Sequence, residues 1–141
     1  MIQHSNPEVQ IIKNNQASCQ IYADEMRIEQ VIINFLTNAI KYSPGTQNIQ
    51  LNVNIEKGKL HLSVIDHGIG MLPEQQEHVF DKFYRVEESS QRFQGLGIGL
   101  YICAEIIRRH GGDIGVKSEY GKGSEFYFFL PVSLKNKTSA P

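Results

Sequence analysis

Residues 48–66 alternate between apolar and polar side chains, and this alternation constrains the fold more than any other part of the sequence. The two halves of the segment read I-Q-L-N-V-N-I and L-H-L-S-V-I-D, and E-K-G-K separates them. Strict alternation places the apolar side chains on one face of a strand, and a glycine turn between two such runs predicts a β-hairpin. A hairpin with one apolar face requires a second layer that covers this face.

Two segments have the pattern of amphipathic helices that could form this layer. The first helix is expected to begin after an N-cap at Asp24 and to end at about Tyr42, before S-P-G. Its apolar residues follow i, i+3, i+4 spacing and predict one buried face. They are Ile28, Val31, Ile32, Phe35, Leu36, Ala39 and Ile40. The second helix is expected from about Gly97 to His110, with Gly111 as its left-handed stop.

Further strands are predicted at both ends of the chain. Residues 8–13 and 19–22 have the pattern of short strands. A closing hairpin is expected from residues 113–118 and 124–132, with its turn at Y-G-K-G. Hairpin-joined strands mixed with helices predict an α+β two-layer sandwich, in which a mixed, largely antiparallel sheet packs against helices.

The segment 67–96 connects the first hairpin to the second helix and is rich in Gly, Glu, Gln and Ser. One short helix is expected within it, opened by Pro73 and containing Val79, Phe80 and Phe83. We expect Phe80 and Phe83 to anchor the segment by packing on the core. A connection of this length with little regular structure is typical of a lid over a binding site.

The charge and cysteine content exclude several functional classes. Fourteen Lys and Arg against 15 Asp and Glu give a net charge of -1, so no global positive field attracts nucleic acid or an anionic membrane. Cys19 and Cys103 have no neighbouring Cys or His cluster, which argues against a disulfide framework and a zinc site. Only short apolar runs occur, and the N-terminus lacks a signal-peptide layout, so we expect a soluble, cytoplasmic domain.

Asn34, Asn38 and Lys41 form a polar stripe that is expected nearly opposite the apolar face of the first helix. A solvated helix face would explain the stripe, but such faces favour Glu, Lys and Gln. Each Asn within a helix costs up to about 0.7 kcal/mol relative to Ala. An amide oxygen is a hard ligand suited to Mg²⁺, which takes one or two protein oxygens beside substrate phosphates. The stripe therefore predicts a metal and phosphate site, with a solvated face as the alternative.

Two glycine-rich segments predict close contact between the backbone and a ligand. Asp66 ends an apolar strand before H-G-I-G, where a carboxylate can accept a hydrogen bond from an amine such as that of adenine. An aspartate that begins a turn before glycine is the alternative. G-L-G-I-G at residues 95–99 runs into the second helix and predicts an anion cradle, with a flexible hinge as the alternative. It matches neither the Walker pattern nor the dinucleotide fingerprint.

Taken in order, five segments resemble the motif boxes of the catalytic, ATP-binding domain of sensor histidine kinases. E-Q-V-I-I-N-F-L-T-N-A-I-K-Y-S resembles the asparagine box, D-H-G-I-G the first glycine box and V-F-D-K-F-Y-R the phenylalanine box. G-L-G-I-G-L and G-K-G-S resemble the second and third glycine boxes. The resemblance implies a sheet of about five strands against about three helices, with ATP and Mg²⁺ between helices under a lid. The domain would span residues 8–134, with the lid at about 71–96 and tails at 1–7 and 135–141.

The resemblance also implies roles for individual residues. Asn38 would ligate Mg²⁺, with Asn34 as a candidate second ligand that also helps to hold the phosphates. Asn34, Lys41 and Arg85 would act catalytically, although Arg85 could instead be a solvated charge on the lid. Asp66 would bind the adenine amino group. The residues expected to contact the nucleotide are Asn34, Asn38, Lys41, Tyr42, Asp66, Gly68, Gly70, Gly95, Gly97, Gly99 and Leu100.

The sequence lacks the glutamate that related ATPases use for hydrolysis, and it also lacks a phosphoacceptor histidine motif. In gyrase-type, mismatch-repair and chaperone ATPases, a glutamate four residues before the metal asparagine activates water, and Asn34 occupies that position. An amide cannot act as a general base, which favours phosphoryl transfer over hydrolysis.

The phosphoacceptor pattern H-E/D-x-x-x-P is missing around all histidines. They are His4, His61, His67, His78 and His110. We expect His61 on a strand face and His110 as a helix-end cap.

We therefore expect a protein histidine kinase catalytic domain that donates the γ-phosphoryl group of ATP to a histidine on a separate dimerisation hairpin. A response regulator would act downstream, and neither nucleic acid nor direct membrane contact is expected. Whether the parent protein is anchored in a membrane is left open. An anti-sigma-type serine kinase and a non-catalytic nucleotide-sensing interaction module are the alternatives.

Overall fold

The structure is a computed structural model that describes residues 10–15, 24–41, 48–84 and 99–132. Five strands and three helices follow one another along these residues. They are β1 (Gln10–Asn15), α1 (Glu25–Lys41), β2 (Asn48–Glu56), β3 (Lys59–Asp66), α2 (Pro73–His78), α3 (Gly99–Arg109), β4 (Asp113–Glu119) and β5 (Gly123–Pro131). The predicted strand at residues 19–22 and the end of the first helix at Tyr42 lie outside the described residues.

The five strands form one sheet in the order β1-β2-β3-β5-β4. Strand β1 lies parallel to β2, and the other three pairs are antiparallel. The prediction of a mixed, largely antiparallel sheet against about three helices is confirmed. The register of β3 and β5 places Asp66 opposite Ser124, which brings the end of β3 beside the turn between β4 and β5.

The first hairpin turns at Lys57 and Gly58, as the glycine between the two alternating runs predicts. Both residues have positive φ, 52° and 76°. Two consecutive residues in the left-handed region match the right-handed twist of the flanking strands. The turn therefore fixes the register that sends Leu62 and Val64 into the core, where both are buried.

Helix α1 begins at its predicted cap and buries its predicted face. The Asp24 carboxylate accepts hydrogen bonds from the N–H groups of Met26 and Arg27 at 3.1 and 3.3 Å. Five of the seven apolar residues are buried, and Ile32 and Ile40 are partly buried against the core. The buried residues are Ile28, Val31, Phe35, Leu36 and Ala39.

Phe35 fixes α1 on the sheet. Its ring packs at a tilt against Phe126 and Phe128 of β5, with centroid distances of 5.5 and 6.1 Å. Phe35 and Phe128 are fully buried. Burial of one such side chain contributes roughly 1.5–3 kcal/mol, so α1 has a defined position and rotation over β5.

Helix α3 ends in a Schellman motif, as Gly111 predicts. Gly111 has a φ of 80°, and the N–H groups of Gly111 and Gly112 donate to the carbonyls of Arg108 and Ile107, both at 3.0 Å. These two bonds satisfy carbonyl groups that would otherwise lack partners at the helix end. The sharp stop returns the chain into β4.

Two histidines occupy the positions predicted for them. His61 is half-buried on β3, where its ring stacks on Phe129 at 4.6 Å. His110 closes α3, since its Nδ1 lies 2.8 Å from the Ile106 carbonyl and its Nε2 accepts the N–H of Asp24 at 3.0 Å. The end of α3 is thereby joined to the start of α1.

The segment after β3 differs from its prediction in two respects. Helix α2 ends at His78, so Val79, Phe80 and Phe83 follow the helix instead of lying within it. Val79 is buried and Phe80 packs edge-on against Phe126 at 6.3 Å, because α2 itself buries no side chain and the chain turns to the core after it ends. Phe83 is 63% exposed with a φ of 69°, so the expectation that it anchors on the core is wrong.

Candidate functional site

The two asparagines of α1 are half-buried, and Lys41 is exposed. The predicted stripe is therefore exposed at Lys41 and partly covered at the two asparagines. Asn38 follows the buried Val31 by about two helical turns and so lies on nearly the same side of the helix. Neither asparagine is fully exposed, so a wholly solvated face does not describe the stripe.

Asn34 faces the first residue of α3. A Cβ atom on Gly99 would lie 2.9 Å from Nδ2 and 3.0 Å from Oδ1 of Asn34. The missing side chain at Gly99 therefore leaves space for the Asn34 amide directly at the start of a helix. The structure brings these two predicted site residues together.

The start of α3 has the properties of an anion site. Its first turn contains no acidic residue, although acidic side chains are favoured at that end of a helix. Its first N–H groups have no acceptor within the helix and carry the positive end of the dipole. Leu100 is half-buried and packs against the core, which holds the first turn in place.

Asp66 is 4% exposed at the end of β3. Its Oδ1 accepts a hydrogen bond from the N–H of Gly68 at 2.9 Å, so the aspartate does form the turn that was the alternative. Burial raises the pKa of Asp66, and hydrogen bonds from the backbone N–H groups of Gly68 and Ser124 oppose this rise. A carboxylate that is buried and only partly satisfied can also accept from an amine of a ligand.

Gly70 has a structural reason to be glycine besides any contact with a ligand. Its φ is 71°, and a Cβ atom would collide with the backbone carbonyl of Glu119. A Cβ atom on Gly123 would collide with the carbonyl of Asp66. The N–H of Gly121 also donates to the carbonyl of Ile69 at 2.6 Å. The turn between β4 and β5 therefore lies directly against the loop that follows Asp66.

Three residues at this contact were missed from the sequence. The N–H of Met71 donates to Ser118 Oγ at 2.7 Å, and Nε2 of Gln76 donates to the carbonyls of Met71 and Ser118, both at 3.1 Å. A serine in a strand and a glutamine in a short helix carry no periodic signal. Only the tertiary contact identifies them.

Several predicted site residues lie outside the described residues. They are Tyr42, Arg85, Gly95 and Gly97. Within residues 10–15, 24–41, 48–84 and 99–132, no group of three or more His, Cys, Asp or Glu side chains is placed to hold a metal ion. Among the helices of these same residues, none has both the length and the apolar character to cross a membrane.

The sequence matches one protein family over most of its length. Residues 23–134 match the family of histidine kinase-, DNA gyrase B- and HSP90-like ATPases. The chain is 43% identical over 111 residues to sensor histidine kinase WalK of Bacillus subtilis, a match that covers 77% of this chain and 18% of WalK. It is 45% identical over 113 residues to the adaptive-response sensory kinase SasA of Microcystis aeruginosa, covering 79% of this chain and 29% of SasA. The chain thus spans less than a third of the length of these relatives.

Solved structures share the fold. The mycobacterial sensor histidine kinase MprB superposes with a TM-score of 0.81 at 24% identity, over 93% of this chain and 87% of that one. Full-length ShkA in complex with AMPPNP superposes with a TM-score of 0.79 at 28% identity, over 92% of this chain and 28% of ShkA. Histidine kinase ThkA in complex with the response regulator protein TrrA gives 0.73 at 26% identity, over 92% of this chain and 36% of that one. The chain therefore belongs to the histidine kinase-, DNA gyrase B- and HSP90-like ATPase family and corresponds to the catalytic ATP-binding domain of sensor histidine kinases.

Proposed function

We propose that this domain binds ATP with Mg²⁺ and donates the γ-phosphoryl group to a histidine on a separate dimerisation hairpin. The observation that carries the proposal is the junction of Asn34 with Gly99 at the start of α3. An amide and a side-chain-free helix N-terminus meet there, which suits a polyphosphate and its metal ion. The solved complex of ShkA with AMPPNP supports an adenine nucleotide as the ligand.

The two half-buried amides fit a Mg²⁺ site of the kind that is completed by the substrate. Asn38 would hold the ion through its amide oxygen, and Asn34 is the candidate second ligand. Two neutral oxygens leave most of the coordination positions to phosphates and water, as is usual for Mg²⁺ beside a nucleotide. When bound, the ion supplies neutralisation of phosphate charge.

The other end of the site would recognise the base. Asp66 would accept a hydrogen bond from the adenine amino group, while Gly68 keeps the nearby backbone accessible. Gly99 and the first N–H groups of α3 would hold phosphate oxygens. We assign Lys41 and Arg85 to phosphate charge. We further assign Tyr42, Gly70, Gly95, Gly97 and Leu100 to the surroundings of the nucleotide.

The proposed chemistry is transfer and not hydrolysis. Asn34 has no proton-accepting group that could activate water, so the domain lacks a general base at that position. Phosphoryl transfer depends on positioning and charge neutralisation, which the described residues can supply without a covalent intermediate. The acceptor is therefore a nucleophile that another domain brings to the γ-phosphate.

The proposed transfer requires a partner that carries the acceptor histidine. A histidine-bearing helical hairpin of the parent kinase would receive the phosphoryl group, and a response regulator would take it onward. The solved complex of ThkA with TrrA supports a response regulator as a partner. We also propose a cytoplasmic location, where ATP and reduced thiols are available.

Calorimetric titration of this chain with AMPPNP, with and without Mg²⁺, tests the nucleotide site. We expect saturable binding that strengthens with Mg²⁺ and exceeds binding of GTP. Asn38→Ala should lose the effect of Mg²⁺, whereas Gln30→Ala, which removes an exposed amide of the same helix, should bind as the unmodified chain does. Absence of binding at millimolar nucleotide would contradict the proposal.

A further inference from the structure

The loop of residues 67–71 carries the proposed base-recognition site. It is attached to the β4–β5 turn through the Ile69 carbonyl, which accepts the N–H of Gly121, and to β4 through Met71. The Met71 side chain is 5% exposed, and its N–H donates to Ser118 Oγ at 2.7 Å. The Ser118 hydroxyl is itself fixed, because its Oγ lies 2.8 Å from both the Gly123 carbonyl and Ser124 Oγ. An acceptor held in this way gives the Met71 N–H a defined direction.

Gln76 completes the attachment from the opposite side. Its Nε2 donates to the Met71 carbonyl and to the Ser118 carbonyl, both at 3.1 Å. Since both partners are carbonyl oxygens, only the amide nitrogen can face them. The glutamine therefore acts as a double donor that joins α2, the loop and the edge strand β4.

The attachment leads to Asp66 through Ser124. The backbone N–H of Ser124 donates to the Asp66 carboxylate, and Ser124 Oγ is bonded to Ser118 Oγ. Asp66 and the loop that follows it are therefore held against the same two residues of the β4–β5 hairpin. Gln76 and the Asp66 carboxylate are thus joined through Ser118 and Ser124 without a direct contact.

We propose that Gln76 is a positioning residue for nucleotide recognition, which holds the loop of residues 67–71 in the conformation that presents Asp66 to the base. This inference rests on the proposed function, because it concerns the same nucleotide site. A loop that is ordered before binding avoids the ordering cost when the ligand binds. Loss of the double donor lowers the fraction of the chain in the competent conformation and weakens binding by that fraction.

Substitutions of similar length separate the donor role from the packing role. Gln76→Glu replaces the donating nitrogen by a carboxylate oxygen that faces two carbonyls, and Gln76→Lys keeps a nitrogen donor. We expect Gln76→Glu to weaken AMPPNP binding about thirtyfold, which corresponds to about 2 kcal/mol for two lost hydrogen bonds, and to reduce the preference for ATP over GTP. Gln76→Lys should stay within about threefold of the unmodified chain. Gln76→Met, which has neither donor nor charge, replaces the glutamate variant if that variant does not fold.

Gln75 provides a matched control on the same helix. Its Oε1 accepts the N–H of Leu72 at 2.7 Å and makes no contact with β4 among the bonds of the described residues. Gln75→Ala removes a helix cap, so it should lower the melting temperature without a change in the ratio of ATP to GTP affinity.

Gln76→Glu should also accelerate hydrogen exchange of the Met71 amide, measured by NMR without nucleotide.

The outcomes distinguish this inference from the proposed function. Binding of AMPPNP by the unmodified chain, together with weakened and less selective binding by Gln76→Glu and its rescue by Gln76→Lys, would support the inference. Unchanged selectivity in Gln76→Glu or Gln76→Met, or equal losses in the Glu and Lys variants, would overturn it while the proposed function stands. Absence of binding by the unmodified chain would overturn both.

Discussion

Gly99 and Asn34 meet where α3 begins, at a separation that leaves no space for a side chain on Gly99. A Cβ atom there would lie 2.9 Å from Nδ2 of Asn34, closer than real Cβ contacts occur. The obstacle is a side-chain amide and not backbone, so Asn34 can move aside at the cost of its present position. The pair therefore couples the rotamer of a proposed phosphate ligand to the residue that opens the helix.

Gly99→Ala should weaken nucleotide binding without destabilising the fold. Alanine is favoured over glycine in a helix by up to about 1 kcal/mol, so the free energy of unfolding should stay equal or rise. Displacement of the Asn34 amide should lower AMPPNP affinity about tenfold, measured by calorimetry. In an Asn34→Ala background the same substitution should cost little further affinity, because the two effects act through one contact. Independent, additive losses would contradict this coupling.

Asp66→Asn should separate stability from binding. Burial raises the pKa of Asp66 in the folded state above its ordinary value of 3.8, so the folded state holds the proton more tightly than the unfolded chain. The contribution of this group to stability is therefore full below that value and is lost as the pH rises above it. We expect Asp66→Asn to gain stability relative to the unmodified chain as the pH rises above this ordinary value, measured by urea unfolding.

The same variant should lose the preference for adenine over guanine nucleotides. An amide can keep the hydrogen bond from Gly68 but offers a weaker, uncharged acceptor to the base. If the difference in unfolding free energy between the two proteins does not change with pH, the Asp66 carboxyl is not the group that titrates. An unchanged preference for ATP over GTP would remove Asp66 from base recognition.

Cys103 should be chemically inert in the folded chain. The residue is 1% exposed, and burial raises the pKa of its thiol to about 12. Only the thiolate reacts with disulfide reagents, so labelling at about pH 8 should be at least about a hundredfold slower than in denaturant. The measurement uses a Cys19→Ser background, which leaves Cys103 as the one thiol. The folded state binds the thiol proton more tightly than the unfolded chain does. The free energy of unfolding should therefore fall as the pH rises past the ordinary thiol pKa of 9.0 towards 12.

His110→Ala should destabilise the contact between the two long helices. The neutral ring, with its proton on Nδ1, donates to the Ile106 carbonyl and accepts the N–H of Asp24. Loss of these two bonds should lower the free energy of unfolding by about 1–2 kcal/mol. His78→Ala is the control, since His78 is 54% exposed and its pairing with Asp81 should contribute less than about 1 kcal/mol. Equal effects of the two substitutions would contradict the bridging role of His110.

The sequence predicts the elements whose signals are local. Alternation over residues 48–66, the cap at Asp24 and the stop at Gly111 each depend on neighbouring residues, and each prediction is confirmed. The family resemblance is likewise confirmed, because the motif segments occur in order along one chain.

The predictions that failed concern tertiary contacts. Asn34 is partly covered because it meets Gly99 at the start of α3, and no pattern within α1 reports this neighbour. Phe83 is apolar in sequence but follows a tight turn that directs it outward, with a φ of 69°. Gln76 and Ser118 are linked across 42 positions of sequence, so their shared contact with Met71 has no local signal. The functional roles of all the predicted site residues stay predictions, and Tyr42, Arg85, Gly95 and Gly97 also lie outside the described residues.

Transfer of phosphate from ATP to a histidine is tested most directly by one measurement. The chain is incubated with γ-labelled ATP, Mg²⁺ and a histidine-bearing helical hairpin supplied as a separate polypeptide, and the labelled hairpin is washed with acid. The account predicts label on the hairpin that is lost in acid, because phosphohistidine is acid-labile, and no label with Asn38→Ala. Acid-stable label would identify a serine kinase, and absence of label despite nucleotide binding would identify a nucleotide-sensing module, and either result would contradict the account.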